Sequence, residues 1–163
     1  RVENLSVPGA KTADVAGAMP MIDVSGAMVV VAVGGNDVLG GTSARQYAAQ
    51  LDAVLGHLAD HAASVVFIEP PVPPSLPWYA WIQRRVARRH EVRLMPKRVL
   101  ADAVFARRGG TLDGLHLTAE GHAALADHVE SWLRHWYAFG RQLAAGREPG
   151  VSPPVASRDM IGP

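Results

Sequence analysis

Three short segments of the sequence contain residue types that could form a catalytic site. They are Asn-Leu-Ser-Val-Pro-Gly at residues 4–9, Gly-Gly-Asn-Asp at residues 34–37 and Asp-Gly-Leu-His at residues 113–116. Each one follows an apolar run or precedes a helical pattern, and α/β proteins build their sites at such positions. The three segments are therefore the candidate functional residues.

Asp113 and His116 could act together as an acid–base pair. They are three positions apart in a glycine-containing loop that precedes a helical pattern. A carboxylate that reaches one imidazole nitrogen fixes the tautomer of the ring and stabilises the imidazolium that forms when the other nitrogen accepts a proton. An aspartate in a loop also commonly caps a local turn. The two residues alone leave both interpretations open.

Asn36 and Gly9 could donate hydrogen bonds to a developing oxyanion. Asn36 follows two glycines directly after an apolar run, and its amide can donate to negative charge that forms in a transition state. Gly9 could present its backbone N–H to a substrate in the same way. Each residue also has a simpler interpretation, because Gly-Asn-Asp and Pro-Gly are common sequences of tight turns.

Taken together and in this order, the three segments resemble conserved blocks of the SGNH/GDSL family of serine ester hydrolases. The resemblance implies that the Gly9 N–H and the Asn36 side chain form the oxyanion hole. It also implies that His116 is the general base and that Asp113 orients it. The expected activity is hydrolysis of a small-molecule carboxylic ester of the esterase, lipase or thioesterase type through an acyl-enzyme intermediate, with no metal and no organic cofactor. Which ester, thioester or acetylated sugar is cleaved is left open.

The family's Gly-Asp-Ser block, which carries the nucleophile, does not occur in the chain. The order of the blocks places it before Gly9, and a strand–helix–strand unit needs about 30 residues. We nominate none of the serines present and expect the nucleophile upstream of Arg1, for example on a separate N-terminal fragment. The alternative is a non-catalytic SGNH-like binding or structural domain that lacks the nucleophile.

The segments between these motifs alternate between short apolar runs and helical patterns, which predicts an α/β fold. With the resemblance, we expect a three-layer α/β/α domain with a mostly parallel, flavodoxin-like sheet. Strands are predicted at residues 2–7, 27–33, 64–69 and 92–95. Helices are predicted at residues 12–19, 43–62, 78–90 and 97–108, and from residue 118 onward.

Further expectations concern burial and boundaries. The strand at 27–33 is continuously apolar, which predicts burial on both faces. Thr12 and Thr118 are expected to be helix N-caps. The domain should cover residues 1–145, followed by a Pro/Gly-rich tail at residues 146–163. The last helix should bury one apolar stripe, and an aromatic group at the start of the helix at 78–90 is expected in the core. The stripe consists of Leu125, Val129, Trp132, Leu133 and Trp136, and the aromatic group of Trp78, Tyr79 and Trp81.

The composition argues against several classes of protein. Hydrophobic residues make up 48% of the chain and charged residues 19%, with a net charge of +1 and no cysteine. A nearly neutral chain with one local basic cluster, at residues 84–90, does not favour nucleic acid as a partner. No apolar run approaches the ~20 residues of a membrane-spanning helix. His57 and His61 have metal-ligand spacing but lack a third ligand. Localisation is left open.

Overall fold

The computed structural model describes residues 1–105, 110–112 and 116–145, with side chains described for residues 1–101, 110–112 and 116–136. Helices and strands alternate along most of this chain. The helices are α1 (Thr12–Ala18), α2 (Gly35–Leu39), α3 (Ala44–His61), α4 (Pro77–Arg89), α5 (Lys97–Phe105) and α6 (Ala119–Ala145). The strands are β1 (Met28–Val31), β2 (Ser64–Ile68) and β3 (Arg93–Met95), and a 3-10 turn, Met19–Met21, follows α1.

The described sheet has three parallel strands in the order β1-β2-β3. Val30 of β1 lies opposite Val66 of β2, and Phe67 of β2 lies opposite Leu94 of β3. Parallel strands that follow one another need crossover helices, and the right-handed crossovers through α3 and α4 place both helices on the same face. The structure confirms the predicted α/β architecture with a parallel sheet.

One face of the sheet is covered over all three strands. Val65 and Phe67 of β2 are buried in a cluster with the apolar stripes of α3 and α4, and Val29, Val31 and Leu94 pack against it. The α3 stripe consists of Tyr47, Leu51, Val54, Leu55 and Leu58, which are all buried. This face is the main hydrophobic core of the protein.

The opposite face is covered only in part. Val66 is buried, and near it the Arg93 guanidinium lies 5.5 Å from the centre of the Trp136 ring of α6. Over β1, by contrast, Met28 is 47% exposed and Val30 is 42% exposed. The prediction that this strand is buried on both faces is therefore wrong. A parallel strand is buried on its second face only where another element lies over it, and on this face Trp136 of α6 lies against Arg93 of β3.

Two helix starts are set by side chains that accept a hydrogen bond from the first turn. The Ser43 hydroxyl accepts a hydrogen bond from Gln46 N (3.3 Å) before α3, and the Thr118 hydroxyl accepts one from Gly121 N (3.0 Å) before α6. Thr118 is thus confirmed as a helix cap. Thr12 is not a cap, because it is the first residue of α1 and Lys11 precedes it.

The predicted strand at residues 2–7 is wrong. These residues form no ladder with the described sheet, and Val2 is 96% exposed. The Asn4 side chain instead accepts a hydrogen bond from Ser6 N at 3.0 Å. Such local side-chain bonds compete with strand pairing for the backbone.

The predicted burial of the aromatic group of α4 and of the apolar stripe of α6 is right in part. Tyr79 is buried in the core, whereas Trp78 and Trp81 are exposed, because the buried face of α4 follows Tyr79, Ile82 and Val86. Trp136 is also exposed, while the other four stripe residues of α6 are half-buried. Residues 106–108 and the predicted tail at 146–163 lie outside the described residues. Within the described part, none of the helices has the length and hydropathy needed to span a membrane.

Candidate active site

Beyond the carboxyl end of β1, Asn36 contacts the residue that follows Gly9. Asn36 is the second residue of α2, and its side-chain Nδ2 donates a hydrogen bond to the Ala10 carbonyl at 3.0 Å. An asparagine amide carries two N–H groups. This contact therefore orients Asn36 and uses one N–H group, which leaves the second for another acceptor.

Gly9 lies in a tight turn beside this contact. Ala10 N donates to Val7 O at 3.2 Å, and Gly9 has φ +77° behind Pro8. Proline followed by a residue with positive φ is the arrangement of a type II turn, in which glycine avoids the strain of a side chain. No described residue accepts a hydrogen bond from the Gly9 N–H, and Gly9 is exposed. The turn interpretation is correct for Gly9, and the turn still leaves its N–H available.

A buried carboxylate fixes the segment that carries Asn36. Asp37 is fully buried, and its Oδ2 accepts hydrogen bonds from Thr12 N at 2.9 Å and from Thr12 Oγ1 at 2.8 Å. The Asp37 side chain, on α2, thus caps the start of α1, which lies 25 residues earlier in the sequence. This role of Asp37 was not predicted from the sequence. No sequence pattern marks it, because Thr12 and Asp37 are 25 positions apart and only Thr12 was predicted at a helix start.

Tyr47 lies beneath the glycine turn. Gly34 has φ +119°, and a Cβ at this position would overlap the Tyr47 hydroxyl. Glycine is therefore required both by the backbone conformation and by the close approach of the ring. Burial raises the pKa of the Tyr47 phenol above its ordinary value, the neighbouring Gln83 side chain opposes part of this rise, and the charge of Asp37 adds to it. Tyr47 is consequently a neutral wall behind the segment.

His116 lies at the end of a loop that backbone hydrogen bonds close. Thr111 and Leu117 form an antiparallel bridge, Leu112 N donates to His116 O at 2.7 Å, and Thr118 N donates to Gly110 O at 3.1 Å. The loop directly precedes α6, as predicted, and His116 is exposed. This arrangement presents the imidazole to solvent from a closed loop.

The start of α6 packs tightly against this loop. Gly110 and Gly121 are both buried, and a Cβ on Gly121 would overlap the Gly110 carbonyl. Only glycine permits this approach, so the loop of His116 is held directly against the first turn of α6.

The predicted partner of His116, Asp113, lies outside the described residues. The convergence of His116 with Gly9 and Asn36 therefore stays a prediction, as does the Asp113–His116 pair. Among the described side chains, no group of three His, Cys, Asp or Glu residues is arranged to hold a metal ion. What the structure brings together is the Asn36 side chain and the Ala10 carbonyl, which belongs to the residue after Gly9.

Solved structures of esterases share this fold. The psychrotrophic esterase EstA from Pseudoalteromonas sp., inhibited by monoethylphosphonate, superposes with a TM-score of 0.70 at 14% identity, covering 83% of this chain and 78% of that chain. TesA superposes at 0.66 with 26% identity over 80% of this chain and 76% of that chain. AlinE4, an SGNH-hydrolase family esterase, superposes with a TM-score of 0.58 at 23% identity, covering 83% of this chain and 76% of that chain. No curated protein matches the chain.

The sequence itself matches a family model. Residues 1–124 fit the GDSL-like lipase/acylhydrolase family, and these residues include Gly9, Asn36, Asp113 and His116. The match covers well over half of the chain, and the fold agrees with it. The chain belongs to the GDSL-like lipase/acylhydrolase family.

Proposed function

We propose that this protein hydrolyses small carboxylic esters through an acyl-enzyme intermediate. The observation that carries the proposal is the hydrogen bond from Asn36 to the Ala10 carbonyl, which orients the Asn36 amide next to the turn that contains Gly9. Two preorganised donors at one point can stabilise the oxyanion of a tetrahedral intermediate. Family membership supports an ester as the substrate class.

In this proposal His116 is the general base and Asp113 orients it. His116 removes the proton from the attacking serine hydroxyl and returns it to the leaving alcohol, while the serine oxygen forms the bond to the acyl carbon. Water then attacks the acyl-enzyme by the same route, which releases the acid and restores the serine. No step needs a metal or an organic cofactor.

The nucleophile in this proposal is a serine of a Gly-Asp-Ser segment that residues 1–163 do not supply. None of the serines of the chain follows Gly-Asp. Ser43 caps α3, and Ser64 begins β2. The partly exposed face of β1, with Met28 and Val30, is a surface on which a further apolar element could pack.

Hydrolysis of p-nitrophenyl acetate by the full-length protein tests the proposal. We expect Asn36→Ala to lower kcat about 10²-fold or more, because one oxyanion donor is lost, and His116→Ala to abolish turnover. Asp60→Asn, an exposed change on α3, is the matched control and should leave kcat unchanged. If Asn36→Ala changed KM alone, Asn36 would bind ground state and transition state equally, and its oxyanion role would be wrong.

Labelling with a fluorophosphonate probe, followed by peptide mapping, locates the nucleophile. We expect the label on a Gly-Asp-Ser peptide and on none of the peptides from residues 1–163. The rival function is a non-catalytic SGNH-like binding domain, which the absence of Gly-Asp-Ser favours. A full-length protein with neither labelling nor ester turnover would establish that rival instead.

A further inference from the structure

A groove of about 720 Å³ lies between α4 and the proline-rich connection that follows β2. Prolines of that connection and the ring of Trp81 form an apolar wall. Four cationic side chains line the same groove, namely Arg84, Arg85, Arg88 and Lys97. The groove thus combines an apolar wall with a concentration of positive charge.

The basic cluster of residues 84–90 divides into two parts. Arg84 and Arg88 are one helical turn apart, and both line the groove, together with Arg85, whose guanidinium lies 4.8 Å from the centre of the Trp81 ring. The other two basic residues point elsewhere, since Arg89 and His90 contact Asp52 of α3 at 2.8 Å and 3.0 Å. The groove therefore collects the arginines that do not stabilise the contact between α3 and α4.

One carboxylate lies under the groove, and its hydrogen-bonding capacity is already used. Glu69, at the end of β2, has a side chain only 1% exposed, and it accepts from Arg84 Nε at 2.8 Å. Its second oxygen accepts from Lys97 N at 3.1 Å. Glu69 thereby fixes Arg84 by its Nε atom and leaves the two terminal nitrogens of the guanidinium for another acceptor. The Arg84 side chain is 48% exposed.

The remaining cations of the groove lack an anionic partner in the part of the chain that the structure describes. No described carboxylate forms an ion pair with Arg85, Arg88 or Lys97. Like charges that are gathered in one groove repel one another. An anion with more than one negative charge would relieve this repulsion.

We propose that this groove binds a phosphate-bearing ligand, with the phosphate among Arg84, Arg88 and Lys97 and an apolar part against Trp81. Guanidinium groups donate paired hydrogen bonds to phosphate oxygens, and a phosphate carries the charge that several cations require. The ring of Trp81 and the proline wall offer apolar contact to the rest of the ligand. Asn36 and His116 do not line this groove.

Calorimetric titration with phenyl phosphate tests the proposal. We expect saturable binding that is tighter than that of inorganic phosphate, because the ring adds apolar contact. The double variant Arg88→Gln/Lys97→Gln should weaken it at least about tenfold, since two charge-assisted contacts are lost. Neither side chain has a described partner within the protein, so thermal unfolding should stay close to that of the wild type.

Arg89→Gln is the matched control, because it removes the same charge one residue from Arg88 but outside the groove. It should bind phenyl phosphate as the wild type does. Equal losses in the control and in the double variant would show a general charge effect and overturn the proposal. So would a double variant with unchanged affinity.

Sedimentation with vesicles distinguishes a soluble ligand from a lipid headgroup. Phosphatidylcholine vesicles with phosphatidic acid are compared with vesicles of phosphatidylcholine alone. Vesicle binding that requires phosphatidic acid and is lost in the double variant assigns the groove to a lipid phosphate. Binding of phenyl phosphate without vesicle binding assigns it to a soluble phosphate. Binding of neither phenyl phosphate nor the phosphatidic acid vesicles overturns the proposal.

Discussion

The two faces of the sheet differ in how far they are covered. Helices α3 and α4 close one face over all three strands, whereas on the other face Val66 is buried and its register partner Val30 is 42% exposed. Val30 and Val66 are the same residue type at matched positions of neighbouring parallel strands. The comparison shows that the apolar character of a strand residue does not by itself decide its burial, which depends on what packs over that part of the sheet.

The largest loss of stability is expected from a substitution on the covered face. Phe67 is fully buried between the sheet and the helices, so Phe67→Ala should lower the free energy of unfolding by about 3–5 kcal/mol. Equilibrium unfolding in urea, followed by circular dichroism, measures this change. A loss below about 1 kcal/mol would mean that this face is less tightly packed than the structure shows.

A matched pair of substitutions tests the partly covered face. Val66→Ala removes two buried carbon atoms and should lower the free energy of unfolding by about 2 kcal/mol. Val30→Ala should lower it by about 1 kcal/mol or less, because Val30 is already 42% exposed. Both variants are measured by the same urea titration. Equal losses would show that Val30 is covered in the protein in solution, and the contrast between the two strands would fail.

The smallest loss of stability is expected on the solvent side of the helices that cover this face, where Asp52 of α3 contacts Arg89 and His90 at the end of α4. Burial alone would raise the pKa of Asp52, but hydrogen bonds from His90 and Arg89 and the charges of both residues hold it below its ordinary value of 3.8. The contribution of Asp52 to stability is therefore complete above pH 3.8 and is lost as the pH falls through the lower, folded-state pKa.

Asp52→Asn should accordingly lower the free energy of unfolding near neutral pH by less than about 1 kcal/mol, since the pair is partly exposed. The difference from the wild type should disappear in acid below the folded-state pKa. Asp60→Asn, on the same helix, serves as the control, with no difference expected at either pH. If the difference in unfolding free energy between Asp52→Asn and the wild type grew in acid, the folded-state pKa of Asp52 would be raised and not lowered. The stabilising role assigned to His90 and Arg89 would then be wrong.

Much of the fold could be predicted because local signals define its helices. Helix α3 begins within one residue of its predicted start, since Ser43 and Gln46 cap it and its apolar stripe has helical period. The exposure of β1 could not be predicted, because an apolar run has the same sequence whether or not a helix lies over it. The segment at residues 2–7 has strand-like composition, but a strand also needs a neighbour to pair with.

The site was predictable only in its separate pieces. Asn36 and Gly9 were identified by residue type and by a resemblance, and the structure shows the Asn36 side chain bonded to Ala10, the residue after Gly9. The cap that Asp37 provides for Thr12 was not foreseen, because it joins residues 25 positions apart and each residue alone has an ordinary explanation. Long-range contacts between small polar side chains leave no periodic pattern in a sequence.

The contact that orients Asn36 is made to a main-chain carbonyl, that of Ala10. Every amino acid supplies the same carbonyl, so substitutions at position 10 would leave the acceptor in place. A mutational scan would record this position as tolerant although the geometry of the site depends on it. The sensitivity would appear one residue earlier, where Gly9 holds φ +77° and a side chain would change the course of the main chain.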